Sequence, residues 1–264
     1  MEFRFFQVDA FTNRPFGGNP AAVCIADQLP ADEVLSRIGK ENNVPMTAFV
    51  VRKNNDFILR WFRPDGGEAQ LCGHATLASA HILWETGMML ADEEIRFHTI
   101  AGQFTATKGS DGWITLNFPA IGSEAATDTT LLAVFPTAVE ILQAGVERTL
   151  VLLPSEEEVR NFNPTHELLQ SYNCIVTARA DADKPYDFVS RFFAAPHGLT
   201  EDPVTGSAHC VLAPYWAAKL GKTTFNALQV SARGGELRVA LHGDKVALTG
   251  QALTLIDGWF RLPE

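Results

Sequence analysis

One stretch of the sequence occurs twice and limits what the chain can fold into. Leu71–Gly87 (LCGHATLASAHILWETG) recurs half a chain later as Asp202–Gly221 (DPVTGSAHCVLAPYWAAKLG). Each copy places a small, glycine-containing turn before a helix that is apolar on nearly all sides, and such a helix has to be buried. We therefore predict two similar lobes with one buried helix each. The alternative is two unrelated amphipathic helices that both begin with glycine and a small residue.

The similarity continues upstream of both copies. Arg60–Pro64 (RWFRP) precedes the first turn and Arg191–Pro196 (RFFAAP) precedes the second, so each half reads strand, loop, glycine turn, buried helix. The predicted fold class is α+β, with two pseudo-symmetric lobes, each a curled, mostly antiparallel sheet around a central buried helix. A doubly wound parallel sheet is rejected because helices do not alternate strictly with strands.

Residue spacing assigns the other elements. Alternating apolar and polar residues predict short strands in both halves. Helical spacing predicts a helix at Ala31–Asn42 and a second at Ser155–Phe162, where a serine cap is followed by three glutamates. A further short helix is predicted at His166–Tyr172, and a closing meander of strands after the second buried helix.

A change of composition marks the boundary between the lobes. Residues Pro119–Thr130 are rich in Gly, Ser, Ala, Thr and Asp and are predicted to be a linker. The expected lobes are 1–119 and 120–264, with the last strand able to cross back to the first lobe.

Composition excludes several classes of partner. The formal net charge of −10 argues against a nucleic-acid or anionic-membrane surface, and no apolar run is long enough to span a bilayer. The first residues alternate like a strand and do not read as a signal peptide. The cysteines form no CxxC pair: Cys24, Cys72, Cys174 and Cys210. We expect a soluble, cytoplasmic protein with free thiols.

The two helix starts indicate a chemistry. The first N–H groups of a buried helix need partners, and together with the helix dipole they form an anion site. Two such starts facing each other would hold one small acid. Removing a proton next to a carboxylate and returning it elsewhere needs an acid and a base, but no cofactor. The pattern therefore favours an isomerase or epimerase acting on a small carboxylate.

Four residues are candidates for that chemistry, three beside the helix starts and Asn19 in a Gly-Gly-Asn-Pro turn, and each has a simpler interpretation. Cys72 can be a thiolate favoured by the helix dipole or an inert core cysteine. His74 can relay a proton or be structural. Asp202 can face the opposite half-site or cap its own helix. Asn19 can belong to the site or form an ordinary Asx turn.

Other motifs are weaker or missing. His81 and His209 lie further into their helices, and Glu68 shapes the approach to the first turn. No group of His, Cys, Asp and Glu has metal-ligand spacing. A nucleophile elbow, a phosphate-binding loop and a dinucleotide fingerprint are also absent from the sequence.

Several long motifs in order resemble the phenazine-biosynthesis PhzF-like family: VDAFTNRPFGGNPAAV, LRWFRP, LCGHATLASAHIL, RFFAAPHGLTEDPVTGSAHCVLAPYW and RGGEL. The resemblance covers nearly the whole chain. It implies a diaminopimelate-epimerase-like fold, a metal-free and cofactor-independent isomerase, and a homodimer. The best-known member isomerises trans-2,3-dihydro-3-hydroxyanthranilate, which suggests a biosynthetic role.

The resemblance also implies site residues. The catalytic set is Asp202 and His74, with Cys72 as a candidate base. The substrate-binding set is Asn19, Met46, Gly73, Gly206 and Ser207. Met46 departs from the family pattern, because the usual residue there is a glutamate that acts as general base.

Two further departures bear on the base. The loop PDGGEAQLCG resembles the epimerase pattern in which the cysteine is a base, which favours Cys72, but the epimerase's partner cysteine in the second lobe is Val204 here. Glu41 and Glu68 are nearby in sequence, without a geometric reason to choose them. Two other hypotheses stay open: a catalytically silent relative that binds a small acid or a protein partner, and a purely structural two-lobe protein.

Overall fold

The computed structural model describes residues 1–127, 131–145, 147–163, 171–197 and 199–263. It divides into two compact units. Unit 1 comprises Met1–Asn117 and Thr249–Glu264, and unit 2 comprises Phe118–Leu248. The sequence predicts a second lobe of residues 120–264 whose last strand can cross back to the first. In the structure, Thr249–Glu264 cluster with unit 1.

Strands outnumber helices in the described chain. The strands are β1 (Glu2–Ala10), β2 (Asn19–Ala26), β3 (Met46–Lys53), β4 (Asp56–Phe62), β5 (Ile95–Thr99), β6 (Gly102–Lys108), β7 (Ile114–Pro119), β8 (Ser123–Ala125), β9 (Glu140–Ala144), β10 (Arg148–Leu152), β11 (Asn173–Arg179), β12 (Phe188–Ala194), β13 (Leu199–Asp202), β14 (Thr224–Gln229), β15 (Gly235–His242), β16 (Lys245–Gly250) and β17 (Ala252–Arg261). The α-helices are α1 (Asp32–Asn42), α2 (Gly73–Glu85), α3 (Leu131–Val134), α4 (Glu156–Asn161) and α5 (Gly206–Leu220).

The sheet of unit 1 is mostly antiparallel. Its strand order is β17-β1-β2-β3-β4-β5-β6-β7. Two neighbours are parallel, β2 with β3 and β4 with β5. A parallel pair needs a crossover connection, and a helix supplies it each time: α1 before β3 and α2 before β5.

The sheet of unit 2 repeats this plan. Its order is β8-β9-β10-β11-β12-β14-β15, with β13 also paired to β12. The parallel neighbours are β10 with β11 and β12 with β14, and the crossover helices are α4 and α5. The repeat detected in the sequence is therefore a duplicated topology.

A mirrored ion pair strengthens this correspondence. In unit 1, Arg60 on β4 forms a bidentate ion pair with Glu68, and both N–O distances are 2.7 Å. In unit 2, Arg191 on β12 contacts Glu201 in the same way, at 2.7 and 2.9 Å. Each arginine also lies over the phenylalanine two residues further along its strand. These pairs fix the loop that leads into each buried helix.

The two central helices are buried as predicted. Every residue of α2 except His81 and Glu85 is buried. Helix α5 is buried over its first two-thirds, apart from Ser207 and Pro214. Both N-cap residues are extended, with φ and ψ of −145° and 106° at Cys72 and −116° and 98° at Thr205. An all-apolar helix can only be stable inside a sheet that curls round it, so these helices organise each unit.

The other helices cover the second face of each sheet. α1 packs on β3 and β4, and α4 packs on β11 and β12. Equivalent positions form the cores below them, including Phe62 in unit 1 and Phe193 in unit 2. The predicted serine cap is confirmed, because Ser155 accepts a 3.2 Å hydrogen bond from the backbone N–H of Glu158.

The structure corrects the sequence in places. The predicted linker contains strand β8, which pairs with β9. The sequence predicts Gln251–Leu255 as the last strand of the meander, which is too short, since β17 extends to Arg261 and pairs with β1 along its whole length. Strand β13, before the second central helix, was not anticipated. The helix predicted at His166–Tyr172 lies largely outside the described residues.

Candidate active site

The entrance of α2 brings three candidate residues together in unit 1. Cys72 is the N-cap, Gly73 is the first helical residue and His74 is the second. The His74 side chain is only 6% exposed, and Asn19, the first residue of β2, is fully buried. The Asn19 amide Nδ2 lies 3.2 Å from Nδ1 of the His74 ring. A residue from the sheet and two from the helix start thus form one buried polar cluster.

The contacts of His74 bear on the position of its ring proton. With the Asn19 amide nitrogen as donor, Nδ1 is the acceptor and the ring proton lies on Nε2. The Cys72 Sγ lies 3.5 Å from Nδ1 and 3.9 Å from Nε2. Thiol and imidazole are therefore close enough to exchange a proton.

Burial sets the charge of this cluster. Loss of hydration lowers the pKa of His74 to about 3. The ring is then neutral at neutral pH, with a proton to donate from Nε2. It can accept a further proton only when an anion or a developing negative charge is close enough to offset the desolvation cost.

The entrance of α5 holds Asp202 in unit 2. This carboxylate is 8% exposed and accepts a 2.6 Å hydrogen bond from the Thr205 hydroxyl. Buried Gln229 completes the arrangement: its Nε2 donates to the Asp202 backbone oxygen at 2.7 Å, and its Oε1 accepts from the Thr205 backbone N–H at 2.8 Å. The loop carrying Asp202 is therefore held at both backbone and side chain.

Arg148 forms a second contact at this entrance. Gly206 is the first residue of α5 and Ser207 the second. The Ser207 hydroxyl accepts a 3.3 Å hydrogen bond from Nη2 of Arg148, the first residue of β10. The contact has the same origin as that in unit 1, where the first residue of β2 reaches the second residue of α2.

The other two histidines of the central helices, His81 and His209, differ from His74 in their surroundings. His209 is fully buried, its Nδ1 lies 2.8 Å from the Thr205 backbone oxygen, and burial lowers its pKa to about 4. His81 lies two turns into α2, 3.0 Å from the Thr254 hydroxyl and 3.4 Å from Glu85. His209 is the fourth residue of α5 and His81 the ninth of α2, so neither is among the first two residues of its helix.

The four cysteines of the described chain are thiols that form no disulfide, as expected. Burial raises the pKa of Cys24, Cys174 and Cys210 to about 12, so these thiols stay protonated. No three described His, Cys, Asp or Glu side chains are grouped to hold a metal ion. Among the described helices, none combines the length and apolarity required to cross a membrane.

Comparison with known proteins decides the family. The profile of the family described as phenazine biosynthesis-like protein matches residues 8–258. The chain belongs to this family. An uncharacterized isomerase of Pseudomonas aeruginosa is 44% identical over 99% of this chain and 100% of its own length. Another, from Halalkalibacterium halodurans, is 42% identical over 97% of both chains.

A solved structure from the same family confirms the fold class. The crystal structure of a phenazine biosynthesis PhzF family protein from Enterococcus faecalis superposes with a TM-score of 0.91. It is 36% identical and covers 99% of this chain and 100% of that one. The resemblance inferred from the sequence motifs is thereby confirmed, as is the α+β architecture.

This phenazine biosynthesis-like chain has no glutamate at the start of β3. Met46 is the first residue of that strand and is 7% exposed. Its thioether is at most a weak hydrogen-bond acceptor and cannot serve as a general base. Glu41 is exposed on α1, and both oxygens of Glu68 are held by Arg60. Neither is placed to replace the missing carboxylate.

Sequence reasoning missed three residues of this PhzF-like protein's helix entrances. Thr205 and Gln229 hold the Asp202 loop, and Arg148 contacts Ser207. Gln229 and Arg148 lie on strands far from the repeated motif, so spacing along the chain does not connect them to it. Aligning the strands of the two repeats would have paired the starts of β2 and β10, and with them Asn19 and Arg148.

Proposed function

We propose that this protein is an isomerase or epimerase that removes and returns a proton on a small carboxylate substrate, without a cofactor. One observation carries the proposal: equivalent helices of the two repeats each begin beside a buried proton-handling side chain, His74 in unit 1 and Asp202 in unit 2. The isomerase names of the relatives support the same class of reaction.

The proposed roles follow from the protonation of each group. His74 acts as the acid once it is protonated, which the negative charge of a bound substrate would favour by offsetting the desolvation cost of the imidazolium. Asp202, oriented by Thr205, acts as the base. Cys72 is the candidate second base, since its sulfur can pass a proton to the His74 ring. Gly73, Gly206 and Ser207 would bind the substrate through N–H groups and the hydroxyl, and Asn19 and Met46 would line the site.

The deciding experiment measures proton exchange directly. Small acids, including 3-hydroxyanthranilate-type and dihydroanthranilate-type compounds, are incubated with the protein in D₂O, and label uptake is followed by mass spectrometry. We expect Asp202→Asn to reduce exchange by about 10²-fold or more while the melting temperature changes little, because the amide keeps the shape but cannot accept the proton. Asp183→Asn, an exposed acid of the same unit, is the control. Unchanged exchange in Asp202→Asn would refute this assignment.

A specific observation favours a second candidate, a catalytically silent acid-binding protein. Met46 stands where the family resemblance implies a catalytic glutamate. The same assay separates the two: acids that raise the melting temperature but never exchange their protons would identify the silent protein. Assembly as a homodimer, which rests on the family resemblance, and a cytoplasmic location, which rests on the free cysteines, complete the proposal.

A further inference from the structure

Arg148 is a partly buried cation that forms no ion pair with any carboxylate of the described residues. Its single hydrogen bond within the described chain is the 3.3 Å bond from Nη2 to the neutral Ser207 hydroxyl. Among the described residues, no carboxylate oxygen lies within 4.0 Å of its guanidinium, whereas Arg60 and Arg191, which are similarly buried, each hold a glutamate with two bonds. Placing a guanidinium in such a position without a counter-charge is costly.

The surroundings of Arg148 increase that cost. Burial lowers the pKa of its guanidinium, which means that the protein environment disfavours the charge. The nearby Cys210 thiol offers no compensation, because burial raises its pKa to about 12 and keeps it neutral. Ser207 lies in the first turn of α5, where the helix dipole repels a cation. The neighbouring Glu147 attracts the charge but is exposed and makes no ion pair with the guanidinium, so the described residues compensate the burial of Arg148 only in part.

The internal repeat places Arg148 at the position equivalent to Asn19. Arg148 begins β10 and contacts the second residue of α5, as Asn19 begins β2 and contacts the second residue of α2. The polar contact of unit 1 pairs two neutral groups, and that of unit 2 presents a fixed positive charge beside a hydroxyl. A guanidinium with most of its five N–H donors unused is suited to a carboxylate, which it can bind with two parallel hydrogen bonds.

We propose that Arg148 binds the carboxylate of the substrate, together with the Ser207 hydroxyl, and thereby selects acids over their neutral analogues. This inference rests on the proposed function for the site, and it adds a residue that determines specificity. Arg148 does not handle the transferred proton. It fixes where the acid lies relative to the groups that do.

Thermal unfolding with matched probes tests the inference. The probes are 2-aminobenzoate, cyclohexanecarboxylate and glutamate, with the corresponding primary amides. We expect the acids to raise the melting temperature of the wild-type protein and the amides not to. In Arg148→Met, acid affinity should fall about tenfold or more, because a charge-assisted pair is lost. Arg148→Lys should retain part of it. Arg179→Met, which removes an exposed arginine from the same unit, should bind acids normally.

Two readouts keep the test decisive. Without ligand, Arg148→Met should melt at the wild-type temperature or above, since an uncompensated charge is removed. A lower melting temperature with unchanged acid binding would make Arg148 structural and overturn the inference, and so would a wild-type protein that no acid stabilises. Proton exchange is scored separately. If Arg148→Met binds acids normally while Asp202→Asn loses proton exchange, only the inference about Arg148 is refuted. If Arg148→Met binds acids more weakly but the wild-type protein exchanges protons with none of them, only the isomerase proposal is refuted.

Discussion

At the scale of single residues, the two histidines buried beside the helix starts connect stability to pH. Burial lowers the pKa of His74 to about 3 and of His209 to about 4, from an ordinary value of 6.5. At a pH between the lowered pKa of each histidine and 6.5, the unfolded chain binds a proton that the folded chain does not. The free energy of unfolding therefore falls as the pH is lowered from about 6.5, and each histidine contributes nothing above that pH.

His209 allows this effect to be measured outside the proposed catalytic groups. We expect His209→Gln to flatten the dependence of unfolding free energy on pH between about 6.5 and 4, by up to about 1.4 kcal/mol per pH unit. Its amide can still donate to the Thr205 backbone oxygen, so little else should change. Urea unfolding at a series of pH values gives the slope. His242→Gln, at the exposed end of β15, is the control. An unaltered slope would mean that His209 is hydrated or charged in the folded state.

Individual residues also show where sequence reasoning stops. Cys72, His74 and Asn19 were predicted from a motif and a turn, and the structure places them in contact. Gln229 could not be predicted, because its contacts depend on strand register between distant segments, and Arg148 would have required the strands of the two repeats to be aligned. The neutral state of His74 was equally hidden, since a pKa depends on burial and not on residue type.

At the scale of elements, the short helix α4 depends on its cap. Ser155 accepts a bond from the Glu158 backbone N–H, and three glutamates follow in the first turn. We expect Ser155→Ala to lower the free energy of unfolding by about 1 kcal/mol. Ser155→Asp should restore it, because aspartate accepts the same bond. Chemical denaturation measures both. Equal stability of the alanine variant would show that packing alone holds this helix.

Elements were predicted well where local pattern determines them. The all-apolar character of α2 and α5 implied burial, and their burial is observed. Strand β8 was hidden in a stretch with linker composition, because three residues gain strand geometry only through pairing with β9. The end of β17 was missed for the same reason. Asp257 and Gly258 interrupt its apolar pattern, and these residues are in a strand because they pair with β1.

At the scale of the whole molecule, unit 1 is built from both ends of the chain. β17 pairs with β1 from Glu2 opposite Arg261 to Ala10 opposite Ala252. We expect a chain ending at Leu248 to lose amide hydrogen-exchange protection along β1 by orders of magnitude, because that strand becomes an unpaired edge. A chain ending at Leu262 keeps β17 and serves as the control. Full protection of β1 in the shorter chain would refute this dependence.

The pairing of β1 with β17 also imposes an order on biosynthesis. A ribosome delivers β1 before unit 2 but releases β17 only after all of unit 2 has been made. During that interval one hydrogen-bonding edge of β1 has no partner strand, while the strands of unit 2 already have theirs. The nascent chain should therefore need protection by chaperones at β1 while unit 2 is being made, and lose that need once β17 has emerged.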